Sequence, residues 1–334
     1  MNEVDMNEVE EWEARRKQRL KRLWLGYAAS NGVGLLSVVI TPRLLEVLSA
    51  FFFPNRLREM GSVLGLSMFV AIPLAMGMVS AWIWRPLKLS AGEISKCSLA
   101  NTGLAVVGSA LVLREGAVCL AMAFPLLASV IWLGCGLGNL LLDRTRRPLQ
   151  MSLLPLFATC LFYDAAGGQN GIHAVTDSVR IKASPAQVWS AVNTFPPITS
   201  APDYWLFRLG LPMPVQSKLE GQKVGAKREC ILTGPLVFEE RVVVWKPRRQ
   251  LTFDITRQPH HPELTGHFKL VRGEFFLIDN GDGTTTLLGT SWYRLNVRPL
   301  WYFEMWADDV IRHIHGRVMN HIANVAQDEQ SHAA

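Results

Sequence analysis

The sequence predicts two parts of different class: an α-helical membrane bundle, then an α+β domain with an antiparallel sheet and a long C-terminal helix. Three observations predict this. Long apolar runs end near residue 163. All eight histidines lie after residue 172. From residue 175 onward, short segments of alternating apolar and polar residues replace the long runs, and short turns between them imply antiparallel pairing.

Charge divides along the same line. Of 34 Lys+Arg and 28 Asp+Glu, residues 1–163 hold 16 and 11, and the remainder holds 18 and 17. The basic excess therefore belongs to the membrane part. There it sets orientation, and it does not form the basic face that a nucleic-acid-binding domain needs. The five cysteines, Cys97, Cys119, Cys135, Cys160 and Cys230, contain no C-x-x-C pair. Most sit in or beside apolar runs, where a thiol behaves as a small hydrophobe, so neither a disulfide framework nor a zinc knuckle is expected.

A helix needs roughly 20 apolar residues to cross a bilayer. Five runs are expected to do so after a cytoplasmic segment 1–22: 23–42, 62–84, 98–113, 116–142 and 149–163. The stretch 44–53 either extends the first helix or lies in the interface. The first run is expected to stay as an anchor, because no A-x-A cleavage site follows it. ARRKQRLKR, RPLKLSAGEISK and DRTRR mark the inner side. Arg43, Arg56, Arg58 and Arg114 then fall outside, and with five crossings everything after residue 164 lies outside the cytoplasmic (inner) membrane. If 149–163 is only interfacial, that domain stays cytoplasmic. The ionisable candidates for an intramembrane path, Arg43, Glu46, Arg114 and Glu115, sit near run ends, which favours an anchor.

After a polar linker at 164–172, VTDSVRIKAS reads as a half-buried strand. Ser184-Pro185 opens a helix over AQVWSAVNTF, because serine suits the N-cap and proline the first helical position. A short helical piece is expected in DYWLFRLG. Strands follow at about 215–220, 225–233, 238–245, 250–256, 267–279 and 284–297, with NGDG at 280–283 as a hairpin turn. A long helix from about Leu300 to Ala326 closes the domain, before a tail at 328–334.

That order, together with SPAQVWSAVNTF, resembles the START-type, birch-pollen-allergen-like superfamily (SRPBCC, "polyketide cyclase/dehydrase") over residues 173–327. FPPI, YWLFRLG, VGAKRECILTGP, HPELTGHFKLVRGEFFL, GTSWYRL, IHGRVMNHI and, in the membrane part, LREGAVCLAMAFPL are similar to a bacterial membrane-anchored set. The resemblance implies a helix-grip domain: a curved antiparallel sheet around the C-terminal helix, with an apolar cavity between them. It also implies a hydrophobic small-molecule or lipid ligand, with the bilayer as the other partner. It carries no specific activity, and fold alone does not settle function. No cofactor is expected.

On the closing helix, Ala307, Ile311, Ile314, Val318, Ile322 and Val325 form an apolar face that includes His321 and borders His315, while His313 points away. The three histidines of HIHGRVMNH therefore do not converge, and i, i+2 spacing is poor for a metal. In the strands, Arg272 pairs with Glu274 on one face and Trp292 with Arg294 on one face; either face could look inward. Glu239 and Glu240 pose the same alternative. The expected wall comprises Trp189, Phe253, Phe275 or Phe276, Trp292, Ile311, Ile314 and Val318. Arg272, Glu274, Arg294, His315 and His321 are the polar candidates. Such a set either orients a ligand's polar end or performs acid–base chemistry on a lipid-like substrate as a cyclase, isomerase or hydrolase. A scaffold with a collapsed cavity is the third reading.

Overall fold

The computed structural model describes residues 3–52, 65–113, 115–145, 150–166 and 170–333. Arg56, Arg58, Arg114, Arg146 and Arg147, which enter the orientation argument, lie outside the described residues, as does linker segment 167–169. The chain divides into two compact units, Met1–Gly168 and Gln169–Ala334.

The first unit is helical: α1 (Glu3–Phe52), α2 (Ile72–Trp84), α3 (Ala91–Leu113), α4 (Ala117–Thr145) and α5 (Gln150–Ala166). The stretch 44–53 continues α1 as helix through Phe52, and Asp164 belongs to α5. Among the described residues, three helical stretches suffice by length and composition to cross a membrane: Glu8–Phe52, Ser67–Leu87 and Ala117–Leu140. Glycine permits the close approach of α2 to α4. A Cβ on Gly77 would lie 2.1 Å from the Ile131 carbonyl oxygen, and one on Gly134 2.3 Å from that of Leu74. Small residues let apolar helices pack backbone to backbone in this way.

Polar side chains join the helices elsewhere. Asn101 of α3 donates to Ser30 Oγ of α1 at 2.9 Å and to Ser80 Oγ of α2 at 3.1 Å, and it accepts from Asn31 at 2.7 Å. A single π-helical turn, Ser67–Ala71, precedes α2. Buried Asp164 caps this turn by accepting from the Leu66 and Ser67 amides, both at 2.8 Å, and from Ser67 Oγ at 2.7 Å. Unpaired amides at a helix start need such an acceptor.

The second unit holds one seven-stranded antiparallel sheet: β1 (His173–Ile181), β2 (Pro214–Glu220), β3 (Lys227–Leu232), β4 (Val237–Lys246), β5 (Gln250–Arg257), β6 (Phe268–Asp279) and β7 (Thr285–Leu295). Its spatial order is β1-β7-β6-β5-β4-β3-β2. Three helices accompany it: α6 (Pro185–Asn193), α7 (Trp205–Arg208) and α8 (Leu300–Ala333). The sheet curls around the helices, with α8 packed on β1 and β7 and α6 on α8, β2, β6 and β7. This is the helix-grip arrangement.

Local chemistry explains the connections. Gln187 accepts from the Ser184 amide at 2.9 Å and from Ser184 Oγ at 2.7 Å, which fixes the start of α6. The NGDG turn joins β6 to β7 with Gly281 and Gly283 at φ of 75° and 79°, a backbone region that glycine enters without penalty. The core between sheet and helices contains Ile181, Trp189, Val192, Phe253, Phe275, Leu287, Val318, Met319 and Ile322.

Candidate functional site

Alternation along the strands decides which side chains face α8. On β6, Gly273, Phe275 and Leu277 are buried, Glu274 and Phe276 between them are half-buried, and Arg272 and Ile278 on either side are exposed. On β7, Leu287, Gly289, Tyr293 and Leu295 are buried, and Ser291 contacts α8. From Gly273 onward in β6 and along β7, the concave face therefore carries the odd-numbered residues.

Arg272, Glu274, Trp292 and Arg294 lie on the opposite face. Arg272 Nε donates to Asp254 at 2.6 Å, an exposed pair, and Glu274 accepts from Thr252 at 2.7 Å and Gln250 at 3.0 Å. For Arg272 and Glu274 this corrects the expected place in a cavity wall: a charged side chain already paired on the outer face needs no ligand to satisfy it. Trp189, Phe253, Ile311, His315 and Val318 are buried toward the core, and Ile314 is half-buried.

The histidines of α8 separate. His315 is buried at 7% exposure. His321 instead lies at the edge, where its Nε2 meets the Pro196 carbonyl at 2.9 Å. His313 stacks on Tyr204 with ring centroids 3.8 Å apart. The buried face of α8 runs through Ile311, His315, Val318, Met319 and Ile322, rotated from the expected face toward Met319. The rotation has a cause: α8 is covered by the sheet on one side and by α6 on another, so one stripe does not contain all its contacts. An open cleft of about 610 Å³ runs beside α8 past His313, Arg317 and His321. The Arg317 guanidinium bonds to the carbonyls of Ser200 and Pro214, tying the cleft walls together.

Two polar groups occupy the concave face. The first is an ion pair across β3 and β4, where Arg228 stands opposite Glu240 and Arg228 Nη1 donates to Glu240 Oε2. Each side chain is 3% exposed. The Arg228 guanidinium carbon sits 4.4 Å above the centre of the Phe253 ring, a cation–π contact. Arg228 Nε is enclosed and has no hydrogen-bond partner among the described residues. Burial holds the Glu240 carboxyl above the ordinary range even with the guanidinium against it. Burial also pushes the neighbouring Cys230 thiol up to about 12, aided by Glu240 and opposed by Arg228. The sequence left Glu240 open and did not single out Arg228. The available signal was its two- and four-residue spacing from Cys230 and Leu232.

The second group joins β1, β7 and α8. Ser291 Oγ lies 2.8 Å from His315 Nε2, and His315 Nδ1 lies 2.7 Å from Asp177 Oδ2. Arg312 Nη1 donates to the other Asp177 oxygen at 2.7 Å. Desolvation lowers the His315 pKa below its usual value, although Asp177 opposes the shift. Nearby, Tyr293 donates to Asp308 at 2.6 Å, which with burial raises the phenol pKa. Among the described residues, no three His, Cys, Asp or Glu side chains cluster as metal ligands.

No family model and no curated protein matches this chain. Solved structures similar to it include a Nitrosospira multiformis protein at 18% identity, covering 48% of this chain and 99% of that chain, with a TM-score of 0.34. Norcoclaurine synthase from Thalictrum flavum, in complex with dopamine and hydroxybenzaldehyde, is 9% identical over 47% of this chain and 88% of that chain, with a TM-score of 0.32. An uncharacterised Bacillus thuringiensis protein is 19% identical over 46% and 99%, with a TM-score of 0.33.

Proposed function

We propose that this protein is a membrane-anchored helix-grip module of the START-type superfamily. In this reading it takes a hydrophobic small molecule or lipid into the concave side of its sheet. Arg228 holds the single polar oxygen of that molecule, a carbonyl or hydroxyl, against a wall that includes Phe253.

The observation that carries the reading is the unpartnered Arg228 Nε. A buried donor left unsatisfied costs about 1–3 kcal/mol, more when charged, and a ligand oxygen removes that cost. Glu240 Oε2 already accepts from Arg228 Nη1, so a neutral acceptor suits the remaining Nε better than a second carboxylate. Cys230 supports a space beside the pair: it keeps accessible surface although burial raises its thiol to about 12. Membrane attachment is supported by the three sufficiently long apolar helices and by Leu36, Val47, Phe51 and Leu111, which are apolar and exposed. Such surface needs lipid or protein to cover it. Five crossings, with the second unit outside the inner membrane, complete the proposal. An anchor shared with the bilayer suits a ligand that partitions into lipid.

The test is to purify the full chain in nanodiscs of one defined synthetic lipid and analyse the organic extract by mass spectrometry. The reading expects a discrete apolar species bearing one oxygen function, lost in Arg228→Met/Glu240→Leu. An extract containing only nanodisc lipid for both proteins overturns it.

A further inference from the structure

The second polar group of the concave face has the geometry of activated-serine chemistry. An ionised carboxylate only accepts hydrogen bonds, so the Asp177 contact places the His315 proton on Nδ1. The Nε2 lone pair then faces Ser291, and Ser291 Oγ–H donates to it at 2.8 Å. Arg312 donates to the far oxygen of Asp177 and so fixes the carboxylate in direction. Each partner comes from a different element, so the sheet edge and the helix must be assembled before the three meet. Burial favours neutral imidazole, the form that accepts a proton.

Ser291 itself is only partly covered. Its register partner on β6 is Gly273, where a Cβ would come within 2.5 Å of the Phe253 ring. Two residues before it is Gly289, where a Cβ would meet Met319 Sδ at 2.8 Å. An aromatic ring and a thioether thus stand against the two glycines beside the hydroxyl.

We propose that Ser291, His315 and Asp177 act as nucleophile, base and orienting group in cleaving carboxylic esters with an apolar acyl chain, which lies against Phe253 and Met319. Ser291 Oγ attacks the ester carbonyl carbon while its proton passes to His315 Nε2. The adduct collapses, the carbon–oxygen bond to the alcohol breaks, and the leaving alcohol takes the proton from Nε2. Water then gives a proton to Nε2 as it attacks the acyl-serine. The carboxylic acid departs and Ser291 Oγ recovers its proton. This set shares no residue with the Arg228–Glu240 pair, so the two proposals stand or fall separately.

The experiment incubates the full chain in detergent micelles with a biotinylated alkyl fluorophosphonate and with p-nitrophenyl hexanoate. In the fluorophosphonate reaction the serine oxygen–phosphorus bond forms, and fluoride leaves with the proton relayed by His315. The expected result is one phosphonyl adduct, on Ser291, with no adduct and no esterase activity in Ser291→Ala. Asp177→Asn preserves side-chain shape and should slow labelling about 100-fold or more, as loss of an orienting carboxylate does, with the melting transition retained. His315→Gln should slow it by a similar factor. Two results overturn the proposal: folded protein that acquires no adduct on Ser291, or labelling of Ser291 at the same rate in a folded Asp177→Asn variant. The three side chains would then only tie the sheet to the helix.

Discussion

Arg228 and Glu240 face each other across β3 and β4 with both side chains 3% exposed. Removing either partner strands a buried charge, which typically costs about 3–5 kcal/mol, whereas replacing both with apolar residues of similar volume is often neutral or stabilising. Arg228→Met and Glu240→Leu should therefore each lower the thermal midpoint strongly, and the double variant should recover most of the loss. A double variant less stable than either single one would show that the pair contributes net stability.

His315 should make stability depend on pH. Burial lowers its folded pKa below the ordinary 6.5, and the groups that bear on it are Asp177 on β1, Ser291 on β7 and Arg312 on α8. The unfolded chain then binds the proton first. The contribution is complete above pH 6.5 and is lost as pH falls through 6.5 toward the folded value. Thermal midpoints measured from pH 7.5 down to 5 should fall across that window, and His315→Gln should flatten the profile there.

The α2–α4 contact has no room for a side chain at Gly77 or Gly134. Leucine at either position should force the helices apart and lower the yield of monodisperse, detergent-extracted protein. Gly136 lies on α4 with nothing within 4 Å of a built Cβ. Gly136→Ala should be tolerated, and can gain up to about 1 kcal/mol from helix propensity.

Asp164 caps the turn that leads into α2. Asp164→Ala removes the acceptor of two amides and a hydroxyl, and a loss of about 1–2 kcal/mol is expected from other helix caps. Faster hydrogen exchange at the Leu66 and Ser67 amides would locate the effect. Unchanged exchange there would contradict it.

Local chemistry made much of the second unit legible in the sequence. Ser184, Pro185 and Gln187 announce a helix start, and NGDG announces a hairpin, because each acts through near neighbours. Which face of a strand turns inward is a different matter. On β6, Gly273, Phe275 and Leu277 alternate with Arg272, Glu274, Phe276 and Ile278, so both faces carry apolar residues and a period of two cannot choose between them. Pairing with β7 and contact with α8 decide it. Arg228 is hidden in the sequence for a related reason: an arginine in a strand reads as outward until a partner such as Glu240 appears across the ladder. Met319 and His315 became buried because two surfaces cover α8, where a single stripe predicts one.

The most direct test of the central claim is photocrosslinking of the full chain in nanodiscs with a diazirine-bearing long-chain alcohol. The account predicts that the alcohol labels the concave face at Phe253, Cys230 or their strand neighbours, and that Arg228→Met/Glu240→Leu reduces this labelling. Labelling confined to the helices of the first unit or to the cleft at His313 and His321, unchanged in the double variant, would contradict it.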